Sequence, residues 1–296
     1  MRFAIRDDDT NFYTTPQELE NCYGDIWEEF APTLSLISKV KGNWLYWVHQ
    51  IYKDRHNTDW QAWKDDNASH PIEDNKELVS FLQEKIKEGK LDIAYHAKFH
   101  RNEDPTPPTE RSNNYVRGAE YYTNRNVTNE IKQEVAFLSH LFNYQISVFT
   151  PPQNMLSMKG YHSVIDAGLN ICGGGISFFK KAKDIKGLSN IAKQLTFKLL
   201  HKESDYPFVL HFSDHNEIAY HYPLQPTTRL DSLIYDFDMV RRYDGDFVLS
   251  THYAEFEYPM VYDEKIKMKH ILRDFLDYIS KYQNVDKMSL SQMLKN

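Results

Sequence analysis

The sequence predicts an α/β fold organised around a parallel sheet, on two observations. Strand-like runs alternate with amphipathic helical stretches along the chain, as in repeated strand–helix units. Chemically capable residues fall at the C-terminal ends of four of those runs, at Asp7–Asp9, His96, Thr150–Gln153 and His252. That edge carries the active site in barrels and doubly wound sheets. No repeat, low-complexity tract or linker divides the 296 residues, so one domain is expected.

The elements follow in order. Arg2-Phe3-Ala4-Ile5 alternates as a buried strand and runs into Arg6-Asp7-Asp8-Asp9-Thr10. Thr15-Pro16-Gln17-Glu18 is a helix start with a capping box, and the helix is expected to reach about Phe30. Residues 44–48 read as the next strand and 53–70 as a Trp-containing loop. Glu73 to Glu88 is amphipathic and stops at Gly89. Leu91 to Tyr95 is a strand leading into His96, and 101–127, rich in Asn, Pro, Thr and Arg, is a long loop. Ile131, Val135, Leu138 and Phe142 mark a helix face. Ile146 to Phe149 is a strand, 157–167 a helix closed by Gly168, and Leu169 to Cys172 a strand ending in three glycines. A basic helical stretch precedes a strand at Phe208 to His211 and a hairpin around Asn216. Arg229 to Tyr243 is helical, Phe247 to His252 a strand, and 263–282 a helix.

Composition excludes several classes. A net charge of -7 without a Lys/Arg-rich run argues against a nucleic-acid surface; Lys180, Lys181 and Lys183 read as a solvated face. No apolar run approaches the roughly 20 residues of a membrane span. Cys22 and Cys172 form no CxxC pair, which fits a reducing compartment. With a strand starting at residue 2 there is no room for a signal peptide, so a cytoplasmic location is expected. The 20 Tyr residues suit sugar stacking, and equally suit an ordinary core. Trp60 and Trp63 are candidate partner or substrate contacts. Oligomeric state is left open.

Three adjacent carboxylates repel one another unless something compensates them, and a bound cation does so most simply. His96-Ala-Lys-Phe-His100 sets two imidazoles four apart; one helical turn would bring both to one side of a cation. His211 and His215 form a second pair at that spacing. Asp plus two His is a three-ligand set that leaves a position for water, as catalytic zinc-type centres require. One Asp then binds metal while another accepts a proton, and His252, late in the chain, is placed to protonate a leaving group. A spaced calcium-loop pattern is absent.

In this order the motifs resemble the polysaccharide deacetylases, metal-dependent carbohydrate esterases with a distorted (β/α)7-type barrel. The family's Thr-Phe-Asp-Asp-Gly is matched by Arg6-Asp7-Asp8-Asp9-Thr10, which implies Asp8 as base and Asp9 as metal ligand. Its His-x-x-x-His is matched by His96 and His100, its Arg-x-Pro segment by Thr150-Pro151-Pro152-Gln153, its late Leu-x-x-His by Leu249 to His252, and its terminal Leu-Ser-x-x-Leu segment by Met288 to Leu294. The resemblance implies catalysis by Asp8 and His252, metal binding by Asp9, His96 and His100, and substrate contacts from Arg6, Thr150, Pro151, Pro152 and Gln153. It implies a divalent cation, Zn2+ foremost with Co2+ or Ni2+ as substitutes. The substrate would be a carbohydrate, nucleotide- or lipid-linked for a cytoplasmic enzyme, as in bacterial O-antigen or capsule biosynthesis. Hydrolysis of another amide or imide, and glycan binding without catalysis, are the alternatives. The chain departs from the pattern in three places. Thr150 stands where the family has the Arg that orients the base, and Arg6 is the nearest cation to take that part. Thr10 replaces the glycine. The Asp of the fourth motif has only Asp236 and Asp238 as candidates. His211, Asp214, His215 and His221 form a polar group outside the pattern.

Overall fold

The computed structural model describes residues 1–44, 46, 65–102, 118–174, 181, 184–202 and 204–295. Its strands, in chain order, are β1 (Arg2–Thr10), β2 (Thr33–Ile37), β3 (Lys39–Lys41), β4 (Ser69–Pro71), β5 (Asp92–Ala97), β6 (Val148–Phe149), β7 (Asn170–Cys172), β8 (Leu210–His211), β9 (Asn216–Ile218), β10 (Tyr222–Pro223), β11 (Asp246–His252), β12 (Pro259–Met260), β13 (Asp263–Lys267) and β14 (Asp286–Lys287). Nine of them join in the order β10-β11-β1-β2-β5-β6-β7-β9-β8, with β14 added against β1. Pairing is parallel throughout except for the β8–β9 hairpin. The sheet curls into a half-barrel, so the expected α/β barrel-type fold is present.

Around it lie α1 (Pro16–Tyr23), α2 (Lys76–Lys87), α3 (Thr128–Leu141), α4 (Met158–Asp166), α5 (Ile185–Leu200), α6 (Leu230–Arg242), α7 (Met268–Ile279) and α8 (Leu290–Met293). α1 starts on the expected Thr15–Glu18 capping box. Gly89 and Gly168 end their helices at φ 72° and 87°, a region glycine enters without steric cost.

Side-chain alternation divides the sheet into two faces. Phe3 and Ile5 of β1, Ile93 and Tyr95 of β5, Phe149, Ile171, Phe247 and Leu249 face outward and pack with the helices in the main core. Ala4, Ala94, Val148, Cys172, Ile218 and Val248 face inward, where Leu290, Met293 and Leu294 pack against them. α8 is fastened at the N-terminal end of that face: Asp92, at the start of β5, accepts from Ser291 N at 3.1 Å and Ser291 Oγ at 2.8 Å, and from Thr33 Oγ1 at 2.8 Å.

Several boundaries differ from expectation. The second strand is Thr33–Ile37, not 44–48; Trp44 and Tyr46 are helical, and the other residues of that run, with Trp60 and Trp63, lie outside the described residues. Thr33-Leu34-Ser35-Leu36-Ile37 is buried on both faces, so its short apolar run lacks the alternation that marks a half-exposed strand. The first helix stops at Tyr23, and 263–267 is a hairpin strand ahead of α7. Cys22 and Cys172 are free and buried. Lys181 does not lie on a solvated face: it is buried and ion-paired with Glu217. Among the described residues no helix is long and apolar enough to cross a membrane.

Candidate active site

The inward alternation that places Ala4 on one face of β1 places Arg6 and Asp8 on the same face, above it toward the strand end. The same parity carries Ala94 to His96, Val148 to Thr150, and Val248 to Ser250 and His252. Parallel pairing keeps these ends level, with Asp8 in register with His252. Four strand ends therefore deliver their polar residues to one mouth of the half-barrel. Asp7 has the opposite parity. Its carboxylate accepts from Tyr23 OH and, at 3.1 Å, from Tyr253 N; burial pushes its pKa up despite these bonds. Asp7 thus pairs with a phenol and an amide on the outer side of the strand.

Asp9 leaves the alternation. Its φ of 75° turns the carboxylate across the mouth. Asp9 Oδ1 lies 3.2 Å from His96 Nε2 and 3.3 Å from His100 Nε2. The His96–His100 segment is not the helical turn that the spacing suggested: His100 has φ 67°. What shapes this turn is Glu120, whose carboxylate accepts from the backbone N–H of Lys98 at 3.2 Å, Phe99 at 2.7 Å and His100 at 2.6 Å. Burial raises the Glu120 pKa to about 7, with those N–H bonds opposing it.

One donor atom each from Asp9, His96 and His100 lies within 4.8 Å of the others. His96 Nδ1 sits 2.7 Å from the carbonyl of Thr150, so in the neutral ring this nitrogen carries the proton and Nε2 keeps its lone pair. Burial holds the His100 pKa down at about 3, against the attraction of Asp9, which also leaves a neutral imidazole. Asp9 Oδ1 is buried without a hydrogen bond. An anionic oxygen facing the lone pair of His96 Nε2, with the neutral His100 imidazole beside it, is a donor set that fits a divalent cation.

Two pairs flank these ligands, one buried and one partly open to solvent at its histidine. Arg6 has no exposed surface, and its guanidinium grips Asp8 with two bonds, Nε to Oδ1 at 2.8 Å and Nη2 to Oδ2 at 2.5 Å, while Nη1 donates to the Cys172 carbonyl at 3.1 Å. Burial alone would raise the Asp8 pKa; the Arg6 charge and bonds, with His96 and His252 adding to them, outweigh it and hold the carboxyl at about 2. On the other side His252 Nε2 lies 3.8 Å from Asp9 Oδ2 and Nδ1 lies 3.5 Å from Glu255 Oε2. Burial would lower the His252 pKa, yet Glu255, Asp9 and Asp8 together raise it to about 10.

All three expected ligands, Asp8 and His252 therefore meet at one mouth, with Thr150 buried behind His96. The Asp236 and Asp238 candidates do not. Asp238 is taken up by Arg241 and Tyr278 on the helical side, and Glu255 is the carboxylate beside the late His. The spacing His252-x-x-Glu255 was readable in the sequence. The late histidines divide. His211 bonds Asn216 at 2.8 Å, and His215 joins Tyr161, Asp214 and the Lys181–Glu217 pair. His221 alone faces Arg6 and Asp8.

No family model and no curated protein matches the chain. Among solved structures it is similar to a candidate polysaccharide deacetylase of Mycobacterium smegmatis, at 11% identity over 98% of this chain and 87% of that one, with a TM-score of 0.50. It is also similar to a family 4 acetyl xylan esterase of Clostridium thermocellum in complex with a cobalt ion, at 10% identity, 99% and 90% coverage and TM-score 0.47. A 4-alpha-glucanotransferase of Thermococcus litoralis matches at 12% identity, over 99% of this chain and 40% of that one, with TM-score 0.48. At these identities the likeness is one of fold.

Proposed function

We propose that this protein is a hydrolase that removes an N-acetyl group from a sugar. The observation that carries the reading is the buried Arg6–Asp8 pair and the His252–Glu255 pair on either side of Asp9, His96 and His100. Asp9, His96 and His100 would hold a divalent cation, Zn2+ foremost, which when bound supplies Lewis-acid polarisation of the acyl oxygen.

The chain's own residues do the rest. Asp8 is ionised at any physiological pH and sits at the mouth, so it takes a proton from water as that water attacks the acetamide carbonyl carbon. Arg6 touches no substrate in this reading. It fixes both oxygens of Asp8 in the plane of its guanidinium, the service that bidentate geometry provides. The backbone N–H of Gln153 is assigned to the oxyanion, with Pro151 and Pro152 stiffening its loop. The raised pKa keeps His252 protonated until the C–N bond breaks, when its proton passes to the departing amine; Glu255 orients the ring. Acetate and a free amino sugar leave.

For the substrate we favour a nucleotide- or lipid-linked sugar of surface-polysaccharide biosynthesis, met in the cytoplasm. Acetate release from UDP-N-acetyl sugars with added zinc, cobalt or nickel tests the reading. Acetate supports it; ammonia or a ring-opened product would reassign the bond, and binding without turnover would leave a glycan-binding protein. The ligand assignment is checked separately. Asp9→Ala and His96→Ala should each lose stoichiometric metal by elemental analysis, and retention of both metal and activity would sink it.

A further inference from the structure

His221 is left without a task by the mechanism above. A methyl group built on Gly173 would meet Arg6 Nη1 at 3.0 Å, Asn154 Oδ1 at 3.3 Å and His221 Cε1 at 3.7 Å. Three polar side chains thus converge on one small space at the end of β7, beside the Asp8 carboxylate. Each nitrogen of Arg6 already has an acceptor there. The other two differ: Asn154 Oδ1 and His221 Nδ1 are buried with no hydrogen-bond partner, and both amide atoms of neighbouring Gln153 are in the same state. Unpaired atoms here call for an explanation, since each buried polar group left unpaired costs about 1–3 kcal/mol. Gln153 and Asn154 also hold φ of 55° and 52°, consecutive left-handed residues that a folded chain keeps where something else requires them.

The chemistry on offer is specific. Burial, reinforced by the Arg6 charge, keeps the His221 ring neutral. With Arg6 spent on Asp8, these atoms are an amide pair, an amide carbonyl and a neutral imidazole next to a carboxylate. Hydroxyl groups, which donate and accept at once, satisfy such a set. A phosphate or carboxylate fits less well, because it would face the Asp8 carboxylate and the acceptor atoms of Gln153 and Asn154.

We propose that Gln153, Asn154 and His221 form a subsite on the Arg6–Asp8 flank that binds the hydroxyl groups of a neutral sugar ring bearing the amide. The subsite rests on the sugar-amide reading for its substrate class. It assigns recognition of the ring to two residues, Asn154 and His221, that lie outside the bond-making set.

The test compares two probes with the same ring size and the same acetamide. Methyl N-acetylglucosaminide carries the hydroxyls and N-cyclohexylacetamide lacks them. Binding of each to the zinc-supplemented protein is followed by ligand-observed NMR, alongside metal content and thermal midpoint. The wild type should prefer the sugar by tenfold or more, the equivalent of one well-made hydrogen bond. His221→Phe and Asn154→Leu should each cut that preference at least fivefold while binding N-cyclohexylacetamide as before. A preference unchanged in both variants would overturn the subsite, and so would a wild type that binds the two probes equally or binds neither. Retained binding of N-cyclohexylacetamide, with metal content and thermal midpoint unchanged, separates loss of the subsite from general damage to the fold. A wild type that binds the sugar selectively but never releases acetate would refute the deacetylase reading while supporting the subsite.

Discussion

Among single residues, Arg6 carries the sharpest consequences. Removing one partner of a buried, hydrogen-bonded ion pair strands the other, at a cost of about 3–5 kcal/mol. Arg6→Gln should therefore lower unfolding free energy by about that amount in urea titrations. It should also lift the Asp8 pKa, so that an acid limb absent from the wild-type profile of kcat/KM appears within the accessible range. For the intact pair the sign is that of a depressed carboxylate. Asp8 titrates at about 2 when folded against 3.8 when free, so its stabilisation, about 2 kcal/mol, is complete above pH 4 and drains away as pH falls toward 2. His252 runs the other way. Its folded pKa of about 10 exceeds the free value of 6.5, so its contribution is complete below pH 6.5 and is lost as pH rises through 10. Glu255→Gln removes one source of that elevation. The alkaline limb of kcat should shift to lower pH, measurable from acetate release between pH 7 and 10; an unmoved limb would mean that Glu255 does not orient or charge His252.

At the scale of elements, the turn after β5 depends on a residue from another segment. Glu120 gathers three consecutive backbone N–H groups there, at the turn in which His100 holds φ 67°. Glu120→Ala should weaken zinc binding by roughly tenfold or more in calorimetric titration, whereas Glu120→Gln, which keeps one acceptor oxygen, should lose less. What could be read from the sequence divides along the same line. Polar residues that close a strand could be found because alternation fixes their side of the sheet, as with Asp8, His96 and His252. The loop-borne Glu120 has no such periodicity, and only three-dimensional proximity reveals it; Glu255 lies in a 3-10 turn outside the strand pattern, and only its spacing from His252 marks it. β2 escaped for a different reason. It is buried on both faces and so carries no alternation, whereas the aromatic run at 44–48 has the bulky side chains typical of strands.

Across the whole molecule, a ligand that binds only the folded state stabilises it by mass action. Chelator treatment should lower the thermal midpoint of the metal-loaded protein, and zinc at one hundred times its dissociation constant should restore about 2.7 kcal/mol. An unchanged midpoint would mean that no cation binds the folded state preferentially, and would count against the Asp9–His96–His100 site. The topology has a temporal consequence as well. β1, laid down first, has β11 as a neighbour in the finished sheet, and α8 packs against both β1 and β5. A nascent chain emerging from the ribosome holds Asp8 and Asp9 long before His252 exists to face them. Such long-range pairing makes folding slow and leaves the first strand waiting with an unpaired edge. Translation stalled before residue 246 should yield chains that bind chaperones and expose β1 to protease, and release of the remainder should bury it.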